Sequence, residues 1–446
     1  MPAKNASDVA GLWDRISGTF YPSASETAFV AGDEKGRGEV VFYVPSGATA
    51  TRSGVTISAS VAVSKEGEGT LADGALGADT TKVPSYCHRA GTVSFAPSAG
   101  DYLDLGPTNY YLSCGTLEPS TTCNLQVGRG RYGRFVQAGG TASLSSGLFV
   151  GVRAHGVYEI GGGTLQTGDK KDINIGWGAE AAGELLVSGG TVSAKDIRLG
   201  LNGGDSACGG GSVVQSGGTM TCGGCLHVGY DAGGVGECVI TNGASAHAAD
   251  VVFVGRLGTG SLTVSDAGSV LTADKGVSVV YAKDSNEGTG TLVVTNGGKI
   301  VTTSIYFGGT TAANASVKFD GATVEAKSAG DILKDLADVE IGEDGLTVST
   351  AYAVSVANTM LKVKSGKTAI TVSGTGSLDL ANATVVLDSV LSNKFTLVEA
   401  TGDATLSGVP ALVGPDGKSM GNVKAVLSDD GKTITVKSVG LTLTFY

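Results

Sequence analysis

The sharpest chemical motif in this 446-residue chain is Cys222-Gly-Gly-Cys225, with Cys208, His227 and Cys238 close by in sequence. A structural zinc ion takes four N or S ligands at about 2.0–2.3 Å. Cys208, Cys222, Cys225 and His227 form the candidate set. The plainer reading is no metal: Cys238 falls at a core position, and the Cys222/Cys225 pair falls in a turn, as a local disulfide or as thiols. A dithiol redox site needs a βαβ context, and no such pattern is present. No cofactor is expected. Cys87, Cys114 and Cys123 can bridge in an oxidising compartment. Seven cysteines leave at least one unpaired.

A second group of residues recurs at one position of a short apolar pattern, apolar-x-apolar-Gly. Its middle positions read Phe149, Asn174, Arg198, His227, Phe253, Val280 and Tyr306, with Trp177 and Tyr230 just beyond the glycine of their own copies. Phe149, Trp177, Arg198, His227, Tyr230, Phe253 and Tyr306 are the candidate ligand-binding residues. Rings and guanidinium groups of this kind stack on sugars or dock a protein partner. The competing reading is cross-strand packing on an exposed sheet, where aromatic neighbours are favoured anyway. Glycoside cleavage needs paired carboxylates, and this column holds none. No catalytic residue is expected, and the chain reads as a non-enzyme.

These residues are positioned by a phrase that occurs eight times. GRFVQAGGTASLSSGLFVG begins at Gly133, and copies begin at Gly156, Gly183, Gly211, Gly236, Gly260, Gly290 and Asn314, in steps of 23 to 30 residues. Within a copy, Leu185/Val187, Tyr158/Ile160, Cys238/Ile240, Leu262/Val264 and Leu292/Val294 alternate with polar residues, so each pair shares one face of a strand. A Gly-Gly or Asn-Gly corner follows, at residues that tolerate positive φ. Next come a second short strand and the third strand ending in glycine. Length variation falls after that third strand, as in LNGGDSACGG. Three strands and three corners per turn of about 25 residues make a parallel β-helix: an all-β solenoid in which each coil buries its inward side chains only by stacking on its neighbours. The rule for parallel crossovers makes it right-handed.

Composition agrees. The chain holds 72 Gly, 9 Pro, 16% charged and 41% hydrophobic residues, too apolar for disorder and without the three-residue period of collagen. Net charge is −11 and the pI about 4.9. That balance argues against nucleic acid as a partner, because phosphate binding needs a basic stripe. The knot Arg129, Arg131 and Arg134 reads as a solvated turn. No apolar run approaches the roughly 18 residues of a membrane span, and the first residues carry no secretory signal pattern.

Residues 1–37, with Trp13, read as an N-terminal cap or the remnant of a preceding domain. Residues 38–132 read as degenerate coils, with YLDLG and LQVG as third strands, and residues 133–326 as regular repeats. Residues 327–446 read as a short helix at Asp331–Ala337, further β coils and a C-terminal β cap with hairpin chemistry at Asp429-Asp430-Gly431.

The Gly-x-Leu-x-Val-x-Gly-Gly-x-Val phrase, followed by a strand ending in Leu-x-Val/Leu-Gly, resembles the passenger-associated repeats of bacterial autotransporter-like surface proteins, best over residues 133–326. LWDRISGTFYPSASETAFVAG is similar to the tail that follows laminin-G-like lectin domains. The resemblance implies an exported β-helix at the cell surface or outside the cell. It would be a structural or adhesive stalk presenting binding surfaces to glycans or other surface proteins, without inserting in a membrane. The chain departs from that pattern in lacking a signal peptide, a sorting segment and a translocator barrel. Alternatives are a carbohydrate-binding or carbohydrate-cleaving β-helix, and a filament subunit that associates end to end.

Overall fold

The structure, a computed structural model, describes residues 19–22, 29–32, 38–51, 61–73, 85–95, 102–106, 109–119, 122–168, 170–204, 207–364, 366–388 and 394–439. Trp13 and the C-terminal GLTLTFY lie outside these. The chain forms two compact units: residues 1–214 with 218–220, and residues 215–217 with 221–446. Each is a stack of short parallel strands, a β-solenoid, and the turns number about 13 in all.

One coil of the first unit shows the rule. Ala182–Val187, Thr191–Ala194 and Ile197–Leu201 are its first, second and third strands. Each lies parallel on the equivalent strand of the preceding coil. Tyr158 opposes Leu185 and Ile160 opposes Val187 on the first strands. Leu165 opposes Val192 on the second, and Ile173 opposes Ile197 on the third. These side chains are all at most 1% exposed. Burying each aliphatic one contributes on the order of 1.5–3 kcal/mol. Because the strands are stacked one residue to one residue, like side chains form ladders. The inward positions Tyr86, Tyr110, Phe135 and Tyr158 stack nearly parallel, with ring centroids 5.1, 4.8 and 4.5 Å apart.

The ladder carries polar groups into the interior, and each finds a partner. Tyr158 donates to Gln137 Oε1 at 2.7 Å, Tyr86 donates to Asp73 at 3.1 Å, and the Tyr110 hydroxyl lies 3.3 Å from His88 Nδ1. Buried polar groups require such partners, since an unpaired one costs about 1–3 kcal/mol.

The second unit repeats the scheme. Thr259–Ser265 pairs with Thr289–Thr295, Val270–Ala273 with Lys299–Thr302, and Val277–Lys283 with Ile305–Gly308, all parallel. Cys238 opposes Leu262 in the core ladder, and burial pushes its thiol up to about 12. Asn242 and Asn296 adopt positive φ (57° and 53°) at the first corner.

The short helix expected at Asp331–Ala337 is instead a strand, Gly330–Lys334. Ile332 and Leu333 are adjacent and both buried, with a bulge in the pairing to Val354–Ala357. The neighbouring third strands offer unpaired backbone groups on both sides, and satisfying that ladder outweighs the local helical pattern. The coils continue towards the C-terminus. Phe395–Ala400 still lies parallel on Ile370–Gly374, and Ala411–Val413 on Ser377–Leu387. Only then does an antiparallel hairpin, Val423–Leu427 with Thr433–Ser438, cover the last second-strand rung. At the other end Thr19–Pro22 pairs antiparallel with Phe29–Gly32, which in turn pairs antiparallel with Gly38–Tyr43.

Candidate functional site

The turn after each third strand decides where outward side chains point. Gly128, Gly151, Gly176, Gly200, Gly229 and Gly255 all sit there with φ between 71° and 76°. At Gly255 an added Cβ would collide with the backbone of Thr289 and Gly290 on the next coil. The chain therefore folds tightly inward at this corner, and the outward residue before the glycine meets the residue three positions on. Gln126 Oε1 accepts from Arg129 Nη1 at 3.1 Å, and the His227 and Tyr230 rings meet edge to face at 5.0 Å. Two facing columns result, one on each side of a concave corner.

In the first unit the inner column runs Asp104, Gln126, Phe149, Asn174, Arg198 in register. The facing column runs Arg129, Val152, Trp177, Leu201. Phe149 and Trp177 pack edge to face at 5.0 Å. With Gln126, Arg129 and Arg153 they line a groove of about 390 Å³. The Arg129 guanidinium lies 4.0 Å from the centre of the Tyr102 ring. Arg198 is not available to a ligand: its two terminal nitrogens hold Asp172 and Asp196 at 2.8 Å each. Burial raises the Asp172 carboxyl pKa even so, with Arg198 opposing. Asn174 is 5% exposed, so it is a buried residue of the column and not a surface one. Burial likewise raises Asp104, opposed by the Gly106 amide and then by Arg129 and Arg131.

In the second unit the columns are His227, Phe253, Ser278, Tyr306 facing Tyr230, Arg256 and Tyr281. Val280, assigned to the column from the sequence, is displaced by two residues. It is fully buried at φ 68°, in the place that glycine takes in other coils, and Ser278 holds the column position. The pairing to the next strand bulges here, between Val279 and Tyr281, and the glycine that marks this corner in other copies is missing. His227 stacks flat on Phe253 at 5.1 Å, and Tyr281 meets Phe253 at 5.4 Å. Arg256 lies over Tyr230 at 4.3 Å. His227 is 6% exposed, whereas Tyr230, Phe253, Tyr281 and Tyr306 are half-buried, and burial raises the Tyr306 phenol pKa.

Cys222 is not on a turn surface. It ends the strand Thr219–Cys222 with its side chain inward and 1% exposed, a core residue like Met220. Cys225 is half-buried in the second unit, and Cys208 belongs to the first.

The sequence reading named Phe149, His227 and Phe253 in one column and Trp177 and Tyr230 beyond the glycine; the structure brings Phe149 to Trp177, and His227 to Tyr230 and Phe253. The reading missed Tyr102, Gln126, Arg129, Arg153, Arg256 and Tyr281. The spacing of three across the glycine was the available signal. The supposed turn knot divides: Arg129 faces the groove, Arg134 pairs with Glu159 at 2.8 Å, and Arg131 is exposed. No family model, curated protein or solved structure matches this chain.

Proposed function

We propose that this chain is a non-enzymatic structural and adhesive segment of an exported bacterial surface protein, a rigid solenoid that displays a side-chain-lined corner to its partners. The observation that carries the reading is the content of the two columns. Among the residues named in them, rings, amides and guanidinium groups predominate, with the aliphatic Val152 and Leu201, the hydroxyl of Ser278, and Asp104 as a single carboxylate. Hydrolysis of a glycosidic bond takes two carboxyl groups roughly 5–9.5 Å apart. A lone half-buried one, accepting from the Gly106 amide at 3.0 Å, supplies half of that machinery.

Rigidity follows from the ladders, since each coil is held by backbone pairing and side-chain stacking along its whole circumference. Among the described residues no helix is long and apolar enough to cross a membrane, which fits a chain that is displayed and not inserted. Two measurements test the reading. Labelling of intact producing cells with an antibody to this chain is expected to be positive. Incubation with a panel of polysaccharides is expected to leave their chain lengths unchanged, and release of shortened products would overturn the non-enzymatic part.

A further inference from the structure

We infer that the Phe149–Trp177 groove of the first unit binds an acidic oligosaccharide, a linear sugar chain bearing carboxylate or sulfate groups. The inference rests on the surface-display reading and specifies what the display is for. The groove is large enough for a small ligand, at about 390 Å³, within the usual range of roughly 300–1,000 Å³ for such sites. It also runs across successive coils, so an extended ligand meets a new pair of facing side chains at each rung.

Its two kinds of side chain divide the work. Phe149 and Trp177 meet at an interplanar angle of 71°, which leaves an angled aromatic wall for the apolar faces of sugar rings. Trp177 is held from behind: the backbone at Gly203, in the loop after the next third strand, approaches the indole nitrogen so closely that a Cβ there would overlap it. The ring is therefore placed before any ligand arrives, which lowers the ordering cost of binding. Arg129 is likewise fixed, between Gln126 Oε1 at 3.1 Å and the Tyr102 ring at 4.0 Å. A guanidinium presents a planar fork that matches carboxylate or sulfate oxygens. Arg153 lines the same groove, and Arg131 is exposed one turn of chain from Arg129.

Charge decides the ligand class. The chain carries a net −11, yet the groove is lined by two guanidinium groups, Arg129 and Arg153, against one carboxylate in the same column, Asp104, and this local excess of positive charge favours an anionic sugar over a neutral one. Single-stranded nucleic acid also uses rings and arginine. Its backbone, however, needs a long basic track, and the groove faces an otherwise acidic protein.

The test uses the full chain with a hexamer of galacturonate, a heparin hexasaccharide, neutral maltohexaose, a single-stranded DNA oligonucleotide and an acidic peptide, by calorimetry. At least one of the two acidic sugars is expected to bind, and which one does separates carboxylate from sulfate recognition. Arg129→Gln and Trp177→Ala are each expected to weaken binding tenfold or more, and Tyr352→Ala, an exposed residue of the other unit outside both columns, to leave it unchanged. Raising salt from 50 to 500 mM is expected to weaken it too. Quenching of Trp177 fluorescence in a Trp13→Phe background reports on the groove directly, so the test stands even if Trp177→Ala fails to fold. Equal affinity for maltohexaose, tighter binding of the oligonucleotide or peptide, no binding of either acidic sugar, or binding indifferent to Arg129→Gln would overturn the inference. Those results leave the cell-labelling outcome untouched, so the two readings fail separately.

Discussion

His88 shows what stacking demands of a single residue. It is fully buried, with Nε2 3.0 Å from Gly91 O and Nδ1 3.3 Å from the Tyr110 hydroxyl. Burial lowers its pKa from 6.5 to about 4; the Gly91 carbonyl opposes this and the nearby Lys65 charge adds to it. Between those two values the unfolded chain holds the proton and the folded chain does not. Stability therefore falls as pH drops through that window, by about 3 kcal/mol in all. Urea midpoints at pH 7.5 and 4.5 check this. His88→Gln is expected to remove most of the difference, and an unchanged difference would mean that other groups carry it. Lys65 lies in the same interior, its ammonium donating to the carbonyls of Glu66, Gly67 and Ala90 at 2.9, 2.6 and 3.0 Å. Burial lowers it to about 8, so its effect belongs to the window between about 8 and 10.5. Neither residue stands out in the sequence, because a Lys and a His in degenerate coils read as surface residues.

At the scale of the strand and corner, the glycine after the third strand is the element that shapes the groove. Two substitutions separate conformation from contact. Gly243 has φ 80° with nothing within 4 Å of an added Cβ, whereas Gly255 has φ 73° with the Thr289 and Gly290 backbone in the way. Gly243→Ala is expected to cost about 1 kcal/mol, the usual penalty of positive φ for a residue with a Cβ. Gly255→Ala is expected to cost several kcal/mol more, of the order found for overpacked cores. Denaturant titrations of both variants measure this, and equal costs would show that the next coil moves aside easily. The two largest misreadings have separate causes. At Val280 a β-branched residue occupies the glycine position, so the landmark that locates the column two residues before it is absent from the sequence. At Gly330–Lys334 the helix-like pattern loses to the open ladder beside it.

At the scale of the molecule, a solenoid has a problem at each end, where an exposed rung offers unpaired backbone groups to another chain. The antiparallel strands Thr19–Pro22 and Phe29–Gly32 meet that problem at the first rung, and the Val423–Leu427/Thr433–Ser438 hairpin at the last second-strand rung. The full chain is therefore expected to sediment as a monomer. A chain without residues 1–37 is expected to form oligomers that grow with concentration. If the full chain assembles end to end, the capping role is wrong and the filament alternative gains.

The repeat by itself determined the parallel coil, its inward ladders and its glycine corners. Those depend on alternation and on positive φ, which are local properties written at fixed spacing in every copy. Only the tertiary structure decided which outward residues form a site. Gln126 and Arg129, Phe149 and Trp177, or Phe253 and Tyr281 meet because the chain turns inward at a glycine and because coils stack in exact register, one residue on one residue. The sequence showed Phe149 and Trp177 as members of one pattern. That Phe149 and Trp177 line a groove beside Arg129 and Arg153 follows from three-dimensional packing of side chains from different coils.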